Sequence, residues 1–288
     1  MALALCLCGT AQAKKAVKIT APEVTPVART SNSAFDEIAP LMDARIAFEN
    51  GQYEKSYQNY SAAFLRDPDN IDILFGLARS GLKIGKNDIA DKAYNKLASY
   101  NLTAEQSFEQ FTGLVLAEVA LGTSENPEAR LKQALEIAPK DYRLWNALGQ
   151  EYDGQVRWEE SRAAYKKSRE TGFSEAGFRN NLGMSHMAQK NYEYAATYFN
   201  EAARLAPQQA QFENNRRFAL LMMGNYQAAL ENAADNDAAN ILGDAGYIAM
   251  QREDYSLARI LLEKAIEVSP RYNQRAVLHL EQLESRQN

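Results

Sequence analysis

A period of 34 residues constrains this chain more than any other feature. Leu148-Gly149 recurs as Leu182-Gly183, Trp158 as Tyr192, Ser161 as Ala195 and Tyr165 as Phe199, each one step of 34 onward. A repeat of this length holds two helices and their turns. One such hairpin cannot bury its apolar face alone, so hairpins stack and share a continuous core. Pro68, Pro139, Pro207 and Pro270 fall where a second helix must stop. Proline lacks the backbone donor and clashes with the preceding turn. Their separations are 71, 68 and 63, or two periods plus three, two periods, and two periods minus five. The extra residues fall near Tyr100–Ser107 and the missing ones near Ala234–Ala238.

The resulting repeats are 37–70, 71–107, 108–141, 142–175, 176–209, 210–238 and 239–272, with a capping helix over 273–288. The expected fold is all-α. Small residues stand where the two helices of a repeat must cross: Ala44, Ala78, Gly149, Gly183 and Gly246. A second small set, Ala63, Ala134, Ala202 and Ala265, lets one hairpin approach the next. In the third repeat, Gly122-Thr-Ser-Glu-Asn126-Pro127 reads as a loop, an N-cap and a first-turn proline. In the shortened sixth repeat, Asp235-Asn236-Asp237 reads as a surface turn.

Trp145-x2-Leu148-Gly149-x2-Tyr152, followed by Ser161 and Tyr165, resembles the tetratricopeptide pattern. That resemblance implies a solenoid of about seven hairpins in a right-handed superhelix, which binds other proteins along its concave face. More narrowly, four stretches resemble the TadD-type Flp pilus assembly proteins of the tight-adherence system. They are Leu114–Gly122, Asn146-Ala-Leu-Gly149, Arg179-Asn-Asn-Leu-Gly183 and Asn214–Gly224. This second resemblance implies an envelope protein, often a lipoprotein, that assembles a pilus or secretion apparatus by binding its components. A periplasmic adaptor for cell-wall hydrolases or proteases is the alternative, as is a solenoid serving a separately encoded enzyme.

The first 13 residues, MALALCLCGTAQA, form a separate object. An apolar run precedes Ala11-Gln12-Ala13, an A-x-A-like cleavage signal, and the run is too short to span a membrane. Both cysteines, Cys6 and Cys8, lie here, so a chain cleaved after Ala13 has no thiol chemistry. Lipidation of either cysteine is the competing reading, and contact with a membrane is expected only through such an anchor. Residues 14–34 carry Pro22 and Pro26 among Thr and Ser without helical periodicity, as a flexible tether would. The expected location is periplasmic or envelope-associated.

No constellation for catalysis stands out, and no cofactor is expected. The two histidines, His186 and His279, lack ligand partners at metal-binding spacing, so no metal is expected either. His186 reads as a packing histidine. Gly81–Lys86 only faintly resembles a phosphate loop and lies in a helical pattern. A net charge of -5 with no basic stripe argues against nucleic acid.

The tetratricopeptide resemblance places the inward positions of the first helices about one turn apart. Asn146, Asn180 and Asn214 then stand in register, 34 apart, with Asn181 and Asn215 beside two of them. Amides both donate and accept, so such a ladder can hold an extended or helical partner segment by its backbone. Met184, Met187, Phe218, Leu221, Tyr247 and Met250 continue the same face as an apolar stripe. A second, basic-aromatic patch of Arg45, Phe48, Phe75, Arg79 and Lys83 suits an acidic segment or a terminal carboxylate. It does not reproduce the carboxylate clamp of cytosolic co-chaperones, because Leu41 stands where the first clamp lysine would be.

Overall fold

The computed structural model describes residues 33–268 and 274–287. The signal-like segment, both cysteines and Pro270 lie outside the described residues. Of the expected tether only Ser33 and Ala34 are described, and they open the first helix. Among the described residues there are fifteen α-helices and no strand. The chain forms two compact units, one ending at Gly154 and the other beginning at Gln155.

In the N-terminal unit, α1 (Ser33–Glu49) pairs with α2 (Tyr53–Phe64), α3 (Ile71–Lys83) with α4 (Asn87–Leu97), and α5 (Ala104–Leu121) with α6 (Pro127–Ile137). Helix α7 (Tyr142–Gly154) packs on α6. The C-terminal unit opens with α8 (Trp158–Glu170). There α9 (Glu175–Ala188) pairs with α10 (Tyr192–Leu205), and α11 (Ala210–Met223) with the five-residue α12 (Tyr226–Leu230). Helix α13 (Asp235–Gln251) pairs with α14 (Tyr255–Val268), and α15 (Gln274–Gln287) packs on both.

Side-chain caps set several helix starts. The Asn70 carbonyl accepts from the Asp72 and Ile73 amides at 3.0 and 3.3 Å. Thr103 and Gln106 form a reciprocal capping box, so α5 starts at Ala104 and takes up part of the inserted sequence. Asn126 caps α6, with Pro127 in its first turn. The expected surface turn at Asp235–Asp237 is a correction: the turn is at Glu231–Ala234, and Asp235 already begins α13. Acidic residues in a first helical turn are favoured by the helix dipole, so the acidic run starts a helix instead of breaking one.

One residue per hairpin turn takes the left-handed conformation, and it marks the period in the backbone. These are Gly51, Gly85, Gly122, Val156, Lys190, Gly224 and Glu253. Successive positions are 34 apart, except 37 between Gly85 and Gly122 and 29 between Gly224 and Glu253. Val156 is the outlier in residue type: β-branched, exposed, and at φ 64°. That conformation costs about 1–2 kcal/mol for a residue bearing a Cβ. Val156→Gly gives back part of this through the greater freedom of the unfolded chain. The substitution is expected to stabilise by about 1 kcal/mol, seen as a higher urea midpoint. A lower midpoint would mean that the turn carries no strain.

The interior is built by rings lying over glycines. A methyl added to Gly113 would lie 2.2 Å from Tyr94 Cζ, and one on Gly76 would lie 2.2 Å from Tyr60 Cζ. In the C-terminal unit, Phe199 covers Gly183 and Leu262 covers Gly246, each within 2.6 Å of where a methyl would sit. Glycine is required at these places for close approach, not for turning.

Candidate partner-binding surfaces

In the N-terminal unit α1, α3 and α5 are the first helices of their hairpins. With Tyr60 from α2, they enclose a cleft of 210 Å³ lined by Arg45, Phe48, Glu49, Asp72, Phe75, Arg79 and Gln106. Four of the five residues expected in the basic-aromatic patch therefore meet. Lys83 does not join them. Its ammonium lies over the Tyr53 and Tyr142 rings, 5.4 and 5.9 Å from their centroids.

The patch is not basic, which corrects the sequence reading. Both carboxylate oxygens of Glu109, on α5, accept from the Arg79 guanidinium. That hydrogen-bonded carboxylate holds the Arg79 proton more tightly than usual. The same guanidinium sits 5.5 Å from the centroid of the Phe75 ring. Phe75 is itself largely core, with its edge against Tyr94 at 6.4 Å. Burial raises the pKa of the Tyr60 phenol, and the neighbouring Arg45 opposes that shift. Glu49 and Asp72 bring two carboxylates to the cleft that the sequence reading left out. Their signal was available, since each lies within four residues of a patch residue along its own helix.

The C-terminal unit rearranges the expected asparagine ladder. Asn180 and Asn181 are both buried at 8% exposure. Asn215 donates its amide to the Asn180 carbonyl at 2.8 Å, which ties α11 to α9. Asn214, the expected partner in register, is exposed instead. Asn146 is half-buried on α7, in the other unit. The structure thus uses Asn180 and Asn215 as an internal hydrogen-bonded pair.

The apolar stripe also divides. Leu221 and Met250 are core residues, 2% and 1% exposed, which corrects their assignment to an open groove. Phe218 packs against the same core, formed by α11, α13, α14 and α15. Met187 packs beside Phe199. Tyr247 lies 4.8 Å from the His279 ring on α15, and Arg275 of that helix reaches Asp244 at 3.4 Å. Burial raises the Asp244 pKa against the pull of Arg275. Helix α15 therefore lies against this end of the stripe. Met184 remains exposed. His186 is stacked between Tyr194 and Tyr198, its ring 5.3 and 5.4 Å from theirs.

A larger opening of 780 Å³ lies beside the turn between α5 and α6. It is lined by polar groups, and its Arg130–Glu118 ion pair closes at 2.9 Å. Among the described residues no group of three or more His, Cys, Asp or Glu could hold a metal ion. None of the described helices is long and apolar enough to cross a membrane.

Stacked helix pairs with close side-chain-over-glycine crossings define the class: an all-α helical-repeat fold. Two models described as tetratricopeptide repeat match the chain, at residues 176–209 and 239–272. The chain therefore carries tetratricopeptide repeats at those residues, and neither match identifies a catalytic domain. It is 33% identical over 119 residues to the cellulose synthase 1 operon protein C of Komagataeibacter xylinus. That stretch is 40% of this chain and only 9% of the relative. Human IFIT1, solved as a dimer with m7Gppp-AAAA, is similar in fold, with a TM-score of 0.63 at 15% identity over 86% of this chain and 63% of that one. A thermophilic TPR protein of Thermus thermophilus gives 0.51 at 20% identity, covering 64% of this chain and 99% of its own.

Proposed function

We propose that this protein is a non-catalytic assembly scaffold of a bacterial cell-envelope apparatus, a Flp/Tad-type pilus or a related secretion apparatus. Its N-terminal unit captures a segment of another component. The observation that carries the capture reading is the cleft between α1 and α3, which brings aromatic walls and charged groups to the face of the first helices. Support for the apparatus comes from two directions. Leu114–Gly122 and the asparagine-containing stretches resemble TadD-type proteins, and the curated relative belongs to a cellulose synthase operon. Location in the envelope, by export or lipidation through residues 1–13, is part of the same proposal.

A photo-crosslinking amino acid at Phe48, in the cleft, tests this directly. A control at Gln58 sits on the exposed side of α2. In cells making the full chain, the Phe48 probe is expected to trap components of one export or pilus apparatus, several-fold more than the Gln58 probe. Trapped cell-wall hydrolases or proteases would favour the periplasmic-adaptor alternative. Equal trapping from both positions would overturn the cleft as the capture site. Fractionation of the same cells reads the location, and an adduct confined to the cytosol would remove the envelope part of the proposal.

A further inference from the structure

We propose that the α1–α3 cleft accepts the side chain of a lysine or arginine from the captured segment. This rests on the capture reading above and reverses the sign of the ligand expected from sequence. Four observations carry it. The first is size. At 210 Å³ the cleft falls below the roughly 300–1,000 Å³ of small-molecule pockets and suits a single side chain. The second is charge. Arg79 is engaged by Glu109, whereas among the described residues Arg45, Glu49 and Asp72 make no ion pair. Beyond the neutral Arg79–Glu109 pair, one cation therefore faces two carboxylates.

The third observation is the aromatic wall. Phe48 and Phe75 both line the space. The Phe75 ring already lies under Arg79, which leaves Phe48 as the ring for an incoming cation. Ring faces attract cations within about 6 Å of their centroids. The fourth is that this unit already uses the same chemistry nearby. Arg79 lies over Phe75, Lys83 over Tyr53 and Lys86 over Tyr57. A partner's carboxylate would enter beside Glu49 and Asp72 and meet only Arg45 in return. A partner's ammonium or guanidinium would gain both carboxylates, with Arg45 as the one opposing charge.

The position of Arg45 gives a test of sign. Acetyl-arginine amide, acetyl-lysine amide and acetyl-glutamate amide are titrated into the full chain carrying 4-fluorophenylalanine, and the Phe48 and Phe75 fluorine resonances are followed. The cationic amides are expected to shift both resonances saturably and the glutamate amide is not. Asp72→Asn and Glu49→Gln, isosteric changes at exposed positions, are each expected to weaken the arginine amide about twofold to fivefold, the range of an exposed charge pair. Arg45→Gln is expected to strengthen it by a similar factor. Circular dichroism spectra identical to the parent confirm that each variant is folded. Tighter binding of the glutamate amide, or weaker arginine-amide binding in Arg45→Gln, would overturn the proposal and restore a carboxylate ligand. No shift with any amide would also overturn it. The two readings fail separately: crosslinking at Phe48 without amide binding removes only the cationic ligand, and amide binding without a crosslinked partner removes only the capture reading.

Discussion

Phe199→Ala is expected to destabilise the C-terminal unit by about 3–5 kcal/mol, the cost of emptying a large aromatic site in a core. Phe199 is 1% exposed and packs with Ala195 and Ala219, with Met187 beside it. Its ring fills the space over Gly183, where a methyl would lie 2.6 Å from Cε1. Gly183→Ala is therefore expected to cost about 1–3 kcal/mol by overpacking. The two positions share one space, so their effects will not add. Phe199→Leu combined with Gly183→Ala should be less destabilising than the sum of the single changes. Repeat arrays unfold in parts, so hydrogen exchange in α9 and α10 is the measurement to make. Additive losses, or exchange unchanged in both helices, would show that the ring does not hold the crossing.

The second large effect is expected at Glu213. One period after Leu182, Gly183 and Phe199 stand Arg216, Arg217 and Ala233. Helix α12 ends at Leu230, before the position one period after Phe199, and the residue there is Ala233 and not an aromatic. Glu213 serves both arginines, at 2.7 Å to Arg216 and 3.1 Å to Arg217, whose side chains are only 19% and 13% exposed. Glu213→Gln would leave two mostly buried cations without their carboxylate. A loss of about 2 kcal/mol is expected, between the value of an exposed pair and that of a buried one whose partner is removed. Arg217→Met is expected to be nearly neutral, since it removes the cation that competes for one carboxylate.

The pH dependence at this site has a definite sign. The hydrogen bond from Arg216 holds the Glu213 pKa below the usual carboxylate value. Its contribution to stability is therefore complete above the unfolded-state pKa of about 4.3 and is lost as pH falls through the lower folded value. Chemical denaturation of parent and Glu213→Gln should give curves that differ at neutral pH and converge at low pH. A constant gap across that range would show that the variant acts through packing alone.

The helical-repeat architecture was legible because its determinants are local. Turn residues, caps and helix-stopping prolines act over a few positions, and the left-handed residues from Gly51 to Glu253 repeat them in the backbone. The third-repeat turn was readable from Gly122, Asn126 and Pro127 for that reason. The faces of the helices were harder. Successive residues on a helix are turned by about 100°, so a shift of one position decides between core and surface. Asn215, not Asn214, bonds Asn180 on that account. Leu221 and Met250 read as groove residues but lie in the core that α11, α13, α14 and α15 form together.

By itself, then, the sequence determined an all-α chain of helical hairpins, most of the places where they turn, and two of the glycines at their crossings, Gly183 and Gly246, but not Gly76 and Gly113. These follow from backbone preferences and steric volume, which each residue carries wherever it is placed. Only the tertiary structure decided the electrostatics. Arg79 reads as part of a basic patch until Glu109, thirty residues on and in another hairpin, is brought against it. Glu49 and Asp72 then become the carboxylates of the cleft that make no ion pair among the described residues. Charge is a property of neighbours in space, and a repeat period says which helices become neighbours without saying which side chains meet.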